Sequence, residues 1–270
     1  MAIVSLAACG GKGDDTSVTT DDTSITTDDT GETGTGVDAS FSMSGNTVDM
    51  MSMMPVSSDA LCMTIADPTA AIAGGELVVL TQTTIEAGTG AWATEAFETD
   101  SAVGLFMIAS DCDGTGTVVF PTATGVSADN YATAGDGEDI GGLTSISINI
   151  MAAGGIDQSL TVAGSSKNLG DHGAMAGFVF DSAGVPVGGA TVCGADCADT
   201  YYFDATMNDG LFTTGPSVNS ETAADAGGGF IVPGASVYTY VVDDGGAHTW
   251  DGLLFGALPG IVSFVQFVAN

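Results

Sequence analysis

The sequence predicts an all-β protein, two tandem β-sandwiches that follow a disordered acidic tether, with a short helix between the sandwiches. Three observations carry this expectation. Short apolar or alternating runs recur between Asp-Pro, Gly-Gly, Gly-Thr-Gly and Asp-Gly turn signals. Forty glycines stand beside abundant Thr, Val, Ala and Asp, a composition of many strands and many turns. Mean hydropathy is positive, yet no run of about 18 apolar residues occurs, so the apolar residues are spread over short strands and not gathered into a membrane-spanning helix.

The chain begins with an apolar stretch, Leu6-Ala7-Ala8-Cys9-Gly10-Gly11. It resembles a bacterial lipobox, which implies that Cys9 is lipidated and becomes the mature N-terminus. Residues 1–9 then read as a truncated lipoprotein signal, because the basic n-region and apolar segment of a secretory signal are too short here. The resemblance implies an exported protein anchored to a membrane by its N-terminal lipid, and Gly10 after the cysteine resembles lipoproteins of the outer membrane and cell surface of Gram-negative bacteria. The bland alternative is an ordinary apolar tetrapeptide.

Residues 10–39 read as the tether. Two near-identical heptads, Asp14–Thr20 and Asp21–Thr27, each offer one apolar residue, Val18 or Ile25, which is too little to build a coiled coil or to offset the entropy of ordering. Paired aspartates repel one another and extend such a segment.

The formal net charge is -32, with two Lys or Arg residues in all. Binding to nucleic acid rests on cationic side chains neutralising phosphates, so nucleic acid is not an expected partner. Cations, basic protein patches and neutral sugars remain, and so does the plain reading that the charge keeps a glycine-rich chain soluble.

The first sandwich is expected over 40–153, with strands at Phe41–Met50, Ala60–Ala66, Glu76–Ile85, Ala91–Phe97, Val103–Ser110, Thr117–Ala123 and Ser145–Met151. A linker follows over 154–173. Ile156, Leu160 and Ala163 share a helical face there, with Asp157 in the first turn, and Asn168 to Gly173 reads as loop.

The second sandwich is expected over 174–270. Met175 to Phe180 forms a strand that ends in an Asp181-Ser182-Ala183-Gly184 turn; Pro186 starts the return, and Ala190 and Val192 alternate into the core. This stretch resembles the opening of carboxypeptidase regulatory-like domains, which implies a transthyretin-like β-sandwich. Thr222 to Gly234 is a looser match to the later turn and strand of that family, with extra spacing between threonine and glycine. Strands at Val237–Asp243, His248–Phe255 and Ile261–Val268 complete the expected sandwich. A fainter parallel from Met43 to Cys62 suggests that the first sandwich is a diverged copy of the second.

With Cys9 assigned to lipid, Cys62, Cys112, Cys193 and Cys197 remain, an even number suited to an oxidising compartment. Cys193 and Cys197 can pair if the residues between them turn, which leaves Cys62 and Cys112 as the other bridge. Free buried thiols are the alternative; a zinc site lacks a second ligand pair.

Few residues suggest chemistry. His172 and His248 stand in no metal-ligating motif, no nucleophile elbow or phosphate loop occurs, and without arginine there is no bidentate anion clamp. The chain therefore reads as no enzyme and as needing no cofactor, except for calcium. Asp111 with Asp113, and Asp204 with Asp209, offer hard oxygens beside Asp-Gly turns, although ordinary hairpin turns use the same residues. Tyr201 and Tyr202 are the candidate ligand contacts, because adjacent strand residues point to opposite faces and one should be exposed to a sugar. The expected function is a non-catalytic surface module that binds or presents, with a surface polysaccharide or protein as its partner. A purely structural stalk and a calcium-dependent adhesin are the alternatives.

Overall fold

The computed structural model describes residues 37–195, 197–203, 221, 222, 224 and 227–270. In chain order the elements are β1 (Val37–Asp49), β2 (Leu61–Asp67), α1 (Thr69–Ile72), β3 (Val78–Thr84), β4 (Ala91–Ala93), β5 (Phe97–Thr99), β6 (Leu105–Asp111), β7 (Val119–Phe120), β8 (Thr122–Val126) and β9 (Asp139–Asn149). There follow α2 (Ile150–Val162), α3 (Leu169–His172), β10 (Ala174–Phe180), β11 (Thr191–Cys193), β12 (Tyr201–Tyr202), β13 (Gly229–Pro233), β14 (Tyr238–Asp243), β15 (Leu253–Phe255) and β16 (Val262–Val268). The all-β expectation holds at this level.

Among the described residues the strands form three sheets. The largest runs β12-β13-β10-β16-β8-β6-β2-β3, and two smaller ones run β4-β1-β9-β7, with β5 also on β1, and β11-β14-β15. The large sheet does not stop at the linker expected over 154–173. The C-terminal strand β16 lies parallel to β10 on one side and to β8 on the other, with Val262 opposite Thr122 and Phe264 opposite Thr124. Two sandwiches standing in tandem are thus not what the strand pairing draws, since both halves of the chain share one sheet.

Alternation along the strands explains how this sheet is covered. Successive side chains point to opposite faces. On one face Phe106, Ile108, Ala123, Met175, Val179, Phe230, Val265 and Phe267 form a single core with Val192, Tyr240, Leu253 and Phe255 of the three-stranded sheet. On the other face, Leu61, Met63, Ile65, Leu105 and Met107 pack against Phe41, Met43 and Trp92 of the five-stranded sheet. Beyond them on that same face, Ala174, Ala176, Ile231, Val262 and Phe264 meet Ile156 and Leu160 of α2. Strands covered on both faces read as near-continuous apolar runs, as Leu105–Ala109 does.

The helix starts earlier than its apolar spacing suggests. Asn149 caps it by accepting from the amide of Ala152 at 2.9 Å, so α2 begins at Ile150, where a strand was expected to continue to Met151. Asp157 consequently sits well inside the helix and not in its first turn. Its carboxylate accepts from the amide of Leu169 at 2.8 Å and fixes α3 where a loop was expected. Gly173 then ends α3 at φ 64°, in a space where a Cβ would lie 1.9 Å from the carbonyl oxygen of Leu258.

The Asp181 turn forms as its residues suggest. The carboxylate accepts from the amides of Ala183 at 2.9 Å and Val185 at 2.8 Å, while Gly184 takes φ 76°. Ala190 and Val192 are fully buried after it. The expected strand over His248–Phe255 shortens to Leu253–Phe255, because the Asp244 carboxylate gathers the amides of Ala247 and His248 into a turn.

Candidate functional site

Both disulfides form: Cys62–Cys112 and Cys193–Cys197, with Cα atoms 4.9 and 4.5 Å apart. Cys62 lies near the start of β2 and Cys112 directly follows β6, so the first bridge staples neighbouring strands of the large sheet. Cys9, Asp204 and Asp209 lie outside the described residues.

Asp111 and Asp113 do come together, in a loop that their own carboxylates hold shut. Asp111 is buried, and its oxygens accept the amides of Thr117, Val118 and Val119 and the hydroxyls of Thr115 and Thr117. Burial alone would raise its pKa, but the amides of Val118, Val119 and Thr117 outweigh it and hold the carboxyl below its ordinary 3.8. Asp113 is likewise lowered, by the amide and hydroxyl of Thr115. Both Asp111 oxygens and the Oδ1 of Asp113 already have partners without an ion. Among the described residues, no group of three or more His, Cys, Asp or Glu side chains is placed to hold a metal.

The tyrosine pair splits between the faces of β12, as adjacency requires. Tyr202 is buried on the core side, where its phenol oxygen accepts the amide of Val192 at 2.8 Å and burial pushes its pKa up. A ligand at the surface cannot reach it. Tyr201 is half-buried against the α2 core. Trp92 and Tyr240 are core residues, whereas Tyr238 is exposed.

A cleft that no sequence motif announces lies where the three-stranded sheet overhangs the first half of the chain. It encloses about 470 Å³. Its walls are Pro68, Ala71 and Ile72 after β2, Ala102 and Val103 before β6, Phe106 on β6, and Ser127 to Asp129 after β8, closed by Val237 and Leu254–Leu258. Five separated segments contribute, so no local pattern marks it. Phe106 and Phe255 give it an aromatic floor and wall, while Val237 and Leu254 leave about half of their surface exposed at its mouth, 52 and 41 %. The Ser127 oxygen accepts the amide of Asp129, and the exposed Asp129 carboxylate is a charged group at the rim.

The scaffold under the cleft is tied by polar contacts. The Asp67 carboxylate accepts from the Thr69 amide and the Ser101 hydroxyl, and the buried Tyr131 phenol donates to the Ser101 carbonyl at 2.8 Å. Burial raises the Tyr131 pKa to about 12, so this donor stays protonated. In volume and lining the cleft falls within the range of small-molecule sites, about 300–1,000 Å³ and mostly apolar.

The sequence matches no known protein family and no curated protein. Among solved structures it is similar to the shaft pilin SpaA of Lactobacillus rhamnosus GG, at 9% identity and a TM-score of 0.23, over 86% of this chain and 98% of that one. A double-substituted form of the same pilin gives 10% identity and a TM-score of 0.21, over 86% and 98%. Likeness at that level carries no argument about fold or role.

Proposed function

We propose that this chain is an exported, lipid-anchored module that carries out no reaction of its own and binds or presents a ligand, and that its ligand enters the apolar cleft. The observation that carries this reading is the cleft itself, a cavity of about 470 Å³ with exposed apolar side chains at its mouth. Exposed apolar residues grouped around a concavity mark binding surfaces more often than chance exposure does. What the lining offers is contact with an apolar body, with the Asp129 carboxylate at the rim to favour a neutral or cationic head. The disulfides suit an oxidising exterior, and the residues before Val37 suit a tether from Cys9.

A neutral, environment-sensitive dye such as Nile red tests the reading, because the negative field would repel an anionic probe. Saturable fluorescence enhancement by the native protein, lost in Ala128→Trp, which fills the cleft, supports it. Equal enhancement in the filled variant contradicts the cleft. Retention on a polysaccharide column with the dye unbound would move the site to exposed Tyr238 and half-buried Tyr201. Binding only with calcium would restore the adhesin, and no binding at all would leave a stalk.

A further inference from the structure

Four methionines occupy five consecutive positions, Met50, Met51, Met53 and Met54 around Ser52. They sit in the turn that follows β1, and that turn is rigidly built. The amide of Met53 donates to the Asp49 carbonyl at 2.8 Å, and the amide of Asp49 donates to the Met54 carbonyl at 2.9 Å. One Asp49 carboxylate oxygen accepts from the amides of Met51 and Ser52 and from the Ser52 hydroxyl, and the other accepts from the Asn149 side chain at 3.3 Å. Val48 and Pro55 pair across the base.

Within this turn Met53 takes φ 54°. At every other left-handed position among the described residues the chain uses glycine. A side chain in that conformation costs about 1–2 kcal/mol, which Gly or Asn would largely avoid. The thioether at 53 is thus kept where local backbone preference opposes it, and such outliers gather at functional sites. Met53 and Met54 are 53 and 63 % exposed, so hydrophobic burial does not account for them, while Met50 and Met51 lean partly on the α2 core.

We propose that the Asp49–Met54 turn is a binding site for copper(I), with the sulfurs of Met53 and Met54 as ligands and that of half-buried Met51 as the third. Thioethers are soft, uncharged ligands that favour copper(I), whereas zinc and calcium prefer the nitrogen and oxygen ligands that this turn lacks in number. Among the described residues every cysteine, the stronger soft ligand, is taken up in the two disulfides. The Asp49 carboxylate at the base of the turn and the net charge of -32 both attract a cation. The rigid backbone lowers the ordering cost of bringing the sulfurs together.

The test uses the full chain, with copper supplied anaerobically as copper(I) against a graded series of bicinchoninate. The native protein should hold one copper(I), and its X-ray absorption should report a first shell of sulfur. Met53→Leu with Met54→Leu keeps the size and apolar character of exposed side chains and so leaves the fold intact, which the melting temperature checks. Losing ligands should weaken binding by more than about tenfold, since even outer-shell losses cost 10–100-fold. Copper(I) retained unchanged by the double variant, a shell of nitrogen or oxygen, no retention by the native protein, or equal retention of zinc(II) would each overturn the proposal.

Discussion

The two halves of the molecule build their interiors differently. The core beneath the five-stranded sheet is made only from residues between Phe41 and Leu143, so the first half supplies both of its walls. The second half shares both of its cores. Ala66, Phe106, Ile108 and Ala123 of the first half complete the core under the three-stranded sheet, and Ile146 and Ile148 of β9 complete the one around α2. The lesson concerns what a boundary is. A change of composition or a helix between strand-rich regions marks a topological passage, but the unit of stability is set by where apolar faces find their cover. Here the faces of β6 and β8 turned away from the first core need the second half, and the second half needs them.

The largest expected effect follows from this sharing. Phe106→Ala lies in the first half of the sequence, yet it should destabilise the whole protein by about 3–5 kcal/mol, the usual cost of deleting a buried ring. Hydrogen exchange should show lost protection in β10 and β16 as well as in β6. Loss confined to β2, β6 and β8 would mean that the two halves are separable.

The disulfides give the next contrast. Cys62–Cys112 closes a loop of 50 residues and Cys193–Cys197 one of 4. Loop-closure entropy assigns them about 4 and about 2 kcal/mol respectively. Replacing both cysteines of each pair by alanine, with denaturant unfolding as the readout, should rank them in that order. The reverse order would show that the short bridge holds the second half in a way that chain entropy does not describe.

A smaller effect is tied to pH. Asp111 has a folded pKa held below its unfolded 3.8. Its contribution is therefore fully present above that value and is lost as pH falls through the folded pKa. Asp111→Asn should cost about 1–3 kcal/mol at neutral pH, the range for hydrogen bonds to a buried charged group. The gap between variant and native protein should close in acid below about pH 4. A gap that stays constant with pH would mean that shape, not charge, makes the Asp111 loop.

Much of the local structure was legible in the sequence, and little of its assembly was. Leu61–Asp67 and Leu105–Asp111 announce themselves by apolar β-formers between turn residues, and Asp181 to Gly184 spells its turn because Asp and Gly each have a backbone task there. The cysteine pairing followed from spacing and parity. The register of β16 against β8 could not be read, because Val262 and Thr122 meet across 140 positions of chain with no local signal. The start of α2 was missed because Asn149 reads equally as strand end or cap, and only the cap geometry decides. Tyr202 offered no sign that its hydroxyl would be spent on Val192. The cleft was illegible since five segments line it. The methionine run was in plain view, but the left-handed backbone at Met53, which gives it meaning, exists only in three dimensions.

Scanning calorimetry of the intact, oxidised protein tests the central claim, that the shared sheet makes the two halves one cooperative unit. The account predicts a single transition whose calorimetric and van't Hoff enthalpies agree. Two resolved transitions, each shifted separately by Phe41→Ala in one half and Phe255→Ala in the other, would contradict it.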